Sequence, residues 1–71
     1  MLPARHPHVA YNLIGLGRLL VAGGRAGEAE PMLREALAIR EATMPEGAAP
    51  IAEARQALDA CRRALDDGAF R

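Results

Sequence analysis

The chain has no tryptophan and no lysine, and among its 71 residues there is one tyrosine (Tyr11), one phenylalanine (Phe70) and one cysteine (Cys61). Two aromatics are too few for the packing on which sandwiches and barrels lean, which argues against an all-β architecture. A lone cysteine cannot close an internal disulfide, so the redox compartment is unmarked. The nine basic residues are all arginine and balance nine acidic ones, giving zero net charge. No field of one sign is available to grip a phosphate backbone, and neither nucleic acid nor membrane is expected as a partner. The most apolar stretch, Leu13 to Ala22, is interrupted by Gly15, Gly17 and Arg18 and is too short to span a bilayer. The first seven residues lack the basic start, apolar run and small-residue cleavage site of a secretory signal, so a cytoplasmic location is expected.

What remains is a helical pattern. The apolar fraction is 51% with a mean hydropathy of −0.03, which fits one small globular domain or part of one. A first helix is predicted from Pro7 to Ala22, with proline at a position where its missing N–H is harmless. Val9, Leu13, Leu16 and Leu20 form its seam, Ile14, Leu19 and Val21 widen the apolar surface, and Gly23-Gly24 supplies a left-handed cap. A second helix is predicted from Ala26 to Thr43, with Glu28 and Glu30 at its start, Arg40 near its end, and a stripe of Ala29, Met32, Leu33, Ala36 and Leu37 beside Ile39. Pro31 has to lie close to its first turn, because deeper in the helix it removes a ladder hydrogen bond. Pro45 and Gly47 close it.

The third helix is predicted from Ala49 to Asp67, with Ile51, Ala54, Leu58, Cys61 and Leu65 on one stripe. Arg55–Asp59, Asp59–Arg63, Arg62–Asp66 and Arg63–Asp67 are spaced for four-residue ion pairs on its other faces. Gly68 is expected to stop it, and Gly68-Ala69-Phe70-Arg71 reads as a turn leading into a further element, as in a fragment of a longer chain. The expected fold class is therefore all-α: a helical hairpin, a third helix packed against it, and a C-terminal turn.

The units repeat. Val9-Ala10 matches Ile51-Ala52 and Leu16 matches Leu58 at an offset of 42, while the apolar seam fits better at 45 and Gly24 to Gly68 gives 44. One complete helix–turn–helix over residues 6–47 is followed by an incomplete, degenerate second unit over 48–71. In the first unit Leu13, Leu16, Gly17, Leu20, Ala29, Leu33 and Ala36 fall at spacings that resemble the tetratricopeptide repeat. His6-Pro7-His8-Val9-Ala10, Gly24-Arg25-Ala26-Gly27-Glu28-Ala29-Glu30-Pro31 and the stretch from Leu33 to Glu41 are similar to the longer-period variant of kinesin light chains and many bacterial proteins. The whole segment is also similar to repeats at the C-terminal end of some bacterial serine/threonine protein kinases.

That resemblance implies an α-solenoid in which small residues, here Gly17 and Ala29, face each other where two helices cross. It implies a non-catalytic scaffold that binds a protein or peptide in a groove lined by the first and third helices. Tyr11, Ile14 and Arg18 of the first helix, with Glu53, Gln56, Ala60 and Arg63 of the third, occupy the groove positions; aromatic and arginine side chains are suitable anchors. The same residues could instead pack on neighbouring repeats of a longer parent chain, which contact one another in solenoids. A regulatory or docking tail of a larger signalling protein, such as a kinase, is the alternative role. Departures from the pattern are Ile14-Gly15 where that variant carries two asparagines, Asp59 or Arg62 at an expected small position, and the absence of lysine for a carboxylate clamp.

Chemistry has less support. His6 and His8 are two potential metal ligands without a cysteine or carboxylate cluster beside them, which is short of a closed site. Gly15-Leu16-Gly17 and Gly23-Gly24-Arg25 follow no strand and lack the lysine and hydroxyl of a phosphate loop. Cys61 sits on an apolar stripe with no histidine near in sequence, as a core residue does. Glu28 with Glu30 and Asp66 with Asp67 read as helix-end charges rather than an acid–base pair. No catalytic residue, cofactor or metal site is assigned. A joint metal or redox site at His6, His8 and Cys61 is the enzyme-class competitor.

Overall fold

A computed structural model describes residues 7–69 as three helices in order, α1 (Pro7–Ala22), α2 (Ala26–Thr43) and α3 (Ala49–Ala69). The fold is all-α, with helical-hairpin packing, and among the described residues there is no strand. Both ends of α1 and α2 lie where the spacing predicts. The third helix runs two residues further than expected, through Gly68, so that glycine does not stop it. Phe70, Arg71 and the residues before Pro7, His6 among them, lie outside the described residues.

The first turn is closed by backbone alone. Gly24 adopts φ +80°, its N–H donates to the Val21 carbonyl at 3.1 Å, and the Arg25 N–H donates to the Leu20 carbonyl at 2.7 Å. These are the two reversed bonds of a Schellman cap. In the second turn Gly47 adopts φ +86° between Pro45 and Ala48, whose N–H donates to the Pro45 carbonyl at 3.1 Å. Short turns of this kind reverse the chain twice. The reversal is visible in the partners: Ala26 and Glu30 of α2 meet Cys61 and Arg62 of α3, whereas Arg40 and Glu41 meet Glu53 and Arg55. The second helix lies between the others and packs on both, while α1 and α3 meet lightly.

The core is built mostly of small side chains. Ala10, Ile14, Ala26, Ala29, Leu33, Ala36, Ile39, Ala54, Ala57, Leu58 and Cys61 form one buried cluster, bordered by Val9, Leu13, Leu20, Val21, Leu37 and Ala64. Ile51 is buried as well. On α1 this corrects the predicted seam by one residue. Ala10, Ile14 and Gly17 face α2 directly, Val9, Leu13 and Leu20 flank them half-buried, and Leu16 is 47% exposed. Ala10 and Gly17 on that face, with Ile14 between them, let α2 come close, because a larger side chain at either would push the helices apart.

Gly17 of α1 and Ala29 of α2 are both buried. The side chain over Gly17 is Leu33, which is fully buried, and a β-carbon placed at Gly17 would lie 2.7 Å from its Cδ2. Pro31 sits in the second turn of α2 rather than the first. Its ring points to an exposed side, and Gly27, whose carbonyl loses the ladder bond, is exposed and open to water. Leu65, predicted on the buried stripe of α3, is 37% exposed near the free end of that helix.

The ion pairs of α3 are not the four-residue pairs that the spacing suggested. Arg55 and Arg62 reach across to α2 instead, to Glu41 at 3.2 Å and Glu30 at 3.5 Å. Both cross-helix partners carry opposite charge and lie within reach of a long side chain, so an arginine that bridges two helices replaces one that decorates a single helix. No described helix is long and apolar enough to cross a membrane.

Candidate functional site

The light contact between α1 and α3 leaves a cavity of about 210 Å³ between them, lined by Tyr11, Asn12, Ile14, Gly15, Arg18, Arg40 and Glu53. Two features of α1 open it. Gly15 presents no side chain, with nothing within 4 Å of where a β-carbon would lie, and Tyr11 stands 71% exposed at the rim. Ile14 is counted among the groove residues by the sequence pattern, but it is 4% exposed and belongs to the α1–α2 core. It contributes to the cavity wall from there.

Four of the seven groove positions, Tyr11, Ile14, Arg18 and Glu53, are thus brought together. Gln56, Ala60 and Arg63 are exposed further along α3 and do not line the cavity. The reason is geometric. The first turn of α3 is pinned to the end of α2 and stands over α1, whereas the later turns follow α2 back towards its start.

The pin is Arg40, which the sequence reading placed only as a helix-end charge. It is 5% exposed, the one buried charged side chain among the described residues. Its Nη1 donates to the Pro50 carbonyl at 2.7 Å and to Glu53 Oε1 at 3.0 Å. Its Nε is buried with no hydrogen-bond partner. Arg18, at the mouth of the cavity, approaches Glu53 Oε2 at 3.9 Å. One carboxylate therefore serves two guanidinium groups, and among the described residues it is the sole acid lining the cavity. The signal for Arg40 was present in the pattern: Ala29, Leu33 and Ala36 continue by a step of four to residue 40.

The other candidates separate from this site. Cys61 is fully buried, and its thiol donates to the Ala26 carbonyl at 3.2 Å. Burial pushes its pKa up, Glu30 adds to the rise, and Arg62 opposes it. An elevated thiol pKa is the reverse of what a nucleophile needs at neutral pH. His8 is exposed on α1. Among the described residues no three His, Cys, Asp or Glu side chains cluster as metal ligands. A second cavity of about 250 Å³ beside the second turn is lined by Glu41, Glu46, Gly47, Ile51 and Arg55, and its arginine is already paired with Glu41.

No family model, curated protein or solved structure matches the chain.

Proposed function

We propose that the chain is a non-catalytic interaction module, of the tetratricopeptide kind in its first unit, that takes a peptide or helix of a protein partner in the groove between α1 and α3. The observation that carries the reading is the grouping of an exposed tyrosine, a buried isoleucine and two arginines around one cavity. Its size supports a peptide rather than a small molecule. About 210 Å³ falls short of the roughly 300–1,000 Å³ typical of small-molecule sites, and suits one or two side chains of a longer ligand. The rim aromatic and arginine are residue types that dominate interface energetics.

A second reading, packing on a neighbouring repeat of a longer chain, is favoured by a different surface. Leu16 and Leu19 are 47% and 70% exposed, and Leu16 lies roughly 140–160° round α1 from Tyr11 and Arg18 at 100° per residue. Leu16 thus lies on another flank of α1 than the groove residues, Leu19 roughly 80–100° from them and between the two, and the readings are compatible.

Selection of a displayed random-peptide library on the 71-residue chain tests the groove. Tyr11→Ala and Arg18→Ala replace exposed side chains and should leave the helical circular dichroism unchanged. Each is expected to weaken the selected peptides about tenfold, or about 1.4 kcal/mol. Peptides that bind both variants as tightly as the parent chain would remove the groove from consideration.

A further inference from the structure

The strongest apolar rhythm of α1 is not the one that packs against α2. Val9, Leu13, Leu16 and Leu20 repeat at steps of four, three and four, the 3.5-residue spacing that lets one helix lie along another. Intramolecular packing uses the neighbouring line of Ala10, Ile14 and Gly17 instead. Val9, Leu13 and Leu20 are left half-buried, Leu16 is exposed, and so is Leu19 beside it. From Val9 to Leu20 the strip runs about 17 Å along the helix at 1.5 Å per residue. A continuous apolar strip open to water is the kind of patch that marks an interface.

Two properties of the strip indicate its occupant. It is free of charge: Arg18, the one Asp, Glu, Lys or Arg in α1, lies roughly 170° round the helix from the middle of the strip. A partner chosen by opposite charge has nothing to read there, and a second copy meets nothing that repels it. The zero net charge of the chain removes long-range repulsion between copies as well. The strip also reads the same from either end, because four-three-four reversed is four-three-four. A twofold axis between Leu13 and Leu16 therefore sets two α1 helices antiparallel, with each Leu13 against Leu16 of the other copy and each Val9 against its Leu20. Such reciprocal pairing is what a closed twofold contact requires. It also places the positive end of each helix dipole beside the negative end of the other.

We propose that Val9, Leu13, Leu16 and Leu20 form the interface of a twofold homodimer in which the α1 helices of two copies pack antiparallel. One helix flank falls well short of the roughly 20–30 residues a side of a standard interface, so the dimer is weak, with a Kd of about 10–100 μM. The inference is independent of the groove reading, since Tyr11 and Arg18 lie on the opposite side of α1. A neighbouring repeat of a longer chain would compete for the same flank, but it would not meet its own copy there.

Analytical ultracentrifugation of the 71-residue chain from about 1 μM to 1 mM, a range that brackets this Kd, reads the association. A monomer–dimer equilibrium is expected. Leu16→Glu and Leu16→Lys alter an exposed side chain, and each alone should weaken the dimer at least tenfold. Leu16→Ala, which keeps helix propensity and adds no charge, should weaken it by less. Circular dichroism of all three at the dilution where the parent is monomeric checks that the helices persist. Mixed in equal amounts, the Glu and Lys variants should recover the dimer to within a few-fold of the parent. In the twofold arrangement the two residues 16 are offset by only about 4.5 Å along the axis, so acid and amine can meet. A chain that stays monomeric to the highest concentration would overturn the homodimer. So would a dimer equally tight in all three variants, or a mixture that associates no better than its components. Association that continues past two copies would also overturn it and would indicate head-to-tail stacking. Tyr11→Ala should leave the dimer unchanged, which keeps failure of the groove distinct from failure of this interface.

Discussion

Among the described residues, the buried Arg40 and Cys61 hold α2 to α3 at opposite ends of their contact. Arg40 works through charge and Cys61 through a weak thiol donor. An unperturbed cysteine ionises at about 8.5. Burial, then Glu30, raises that value in the folded chain. Above pH 8.5 the unfolded chain therefore gives up a proton that the folded chain keeps. The folded state binds more protons, and stability declines as pH rises from the unfolded value towards the folded one. Urea midpoints should fall over that interval in the parent chain, and the slope should be reduced in Cys61→Ala. A slope equal in both chains would assign the loss to other groups.

At the scale of the element, α1 carries two glycines two residues apart with opposite consequences. Gly15 is exposed and has nothing within 4 Å of where a β-carbon would lie, whereas a β-carbon at the buried Gly17 would lie 2.8 and 2.7 Å from Leu33 Cγ and Cδ2. Gly15→Ala should stabilise by about 0.5–1 kcal/mol through helix propensity alone. Gly17→Ala receives the same benefit but crowds a fully buried leucine, a strain of about 1–3 kcal/mol that should dominate. Chemical denaturation followed by circular dichroism separates the two signs. Much of this element was legible beforehand. Both ends of α1 and α2 followed from Pro7, Gly24 and the Pro45–Gly47 turn, because caps and turns are local. The face of α1 lies one residue from the expected one, since Val9, Leu13, Leu16 and Leu20 outweigh Ala10 and Gly17 in a reading by hydrophobicity. Which residue is central depends on how near α2 comes, and distance between helices is a property of the pair. For the same reason Tyr11, Arg18 and Glu53 could be assigned to one groove, whereas the long-range bonds of Arg40 could not be read from either helix alone. That Gln56, Ala60 and Arg63 do not line the cavity is likewise a matter of how α3 packs along α2.

The molecule as a whole is a thin slab of 42 × 25 × 13 Å, close to one helix thick, with a radius of gyration of 12.3 Å. A compact chain of this length is expected near 11 Å. Little apolar area is enclosed in such a shape, and the core draws on alanines at positions 10, 26, 29, 36, 54 and 57. A domain of this size has about 4–11 kcal/mol of stability at 0.05–0.15 kcal/mol per residue. Leu33, one of its largest fully buried side chains, should therefore be decisive: Leu33→Ala is expected to remove about 2–5 kcal/mol and to lower the thermal midpoint sharply. Retention of the parent midpoint would mean that the slab has a partner surface in solution that supplies the missing core. The thiol of Cys61 then offers a clock for the seam between α2 and α3. It is sealed beneath the junction of α3 with the first residue of α2, and no second cysteine competes for reagent. The rate at which a disulfide reagent finds it, set against the rate of complete unfolding, tells whether the last helix peels away on its own or departs together with the hairpin.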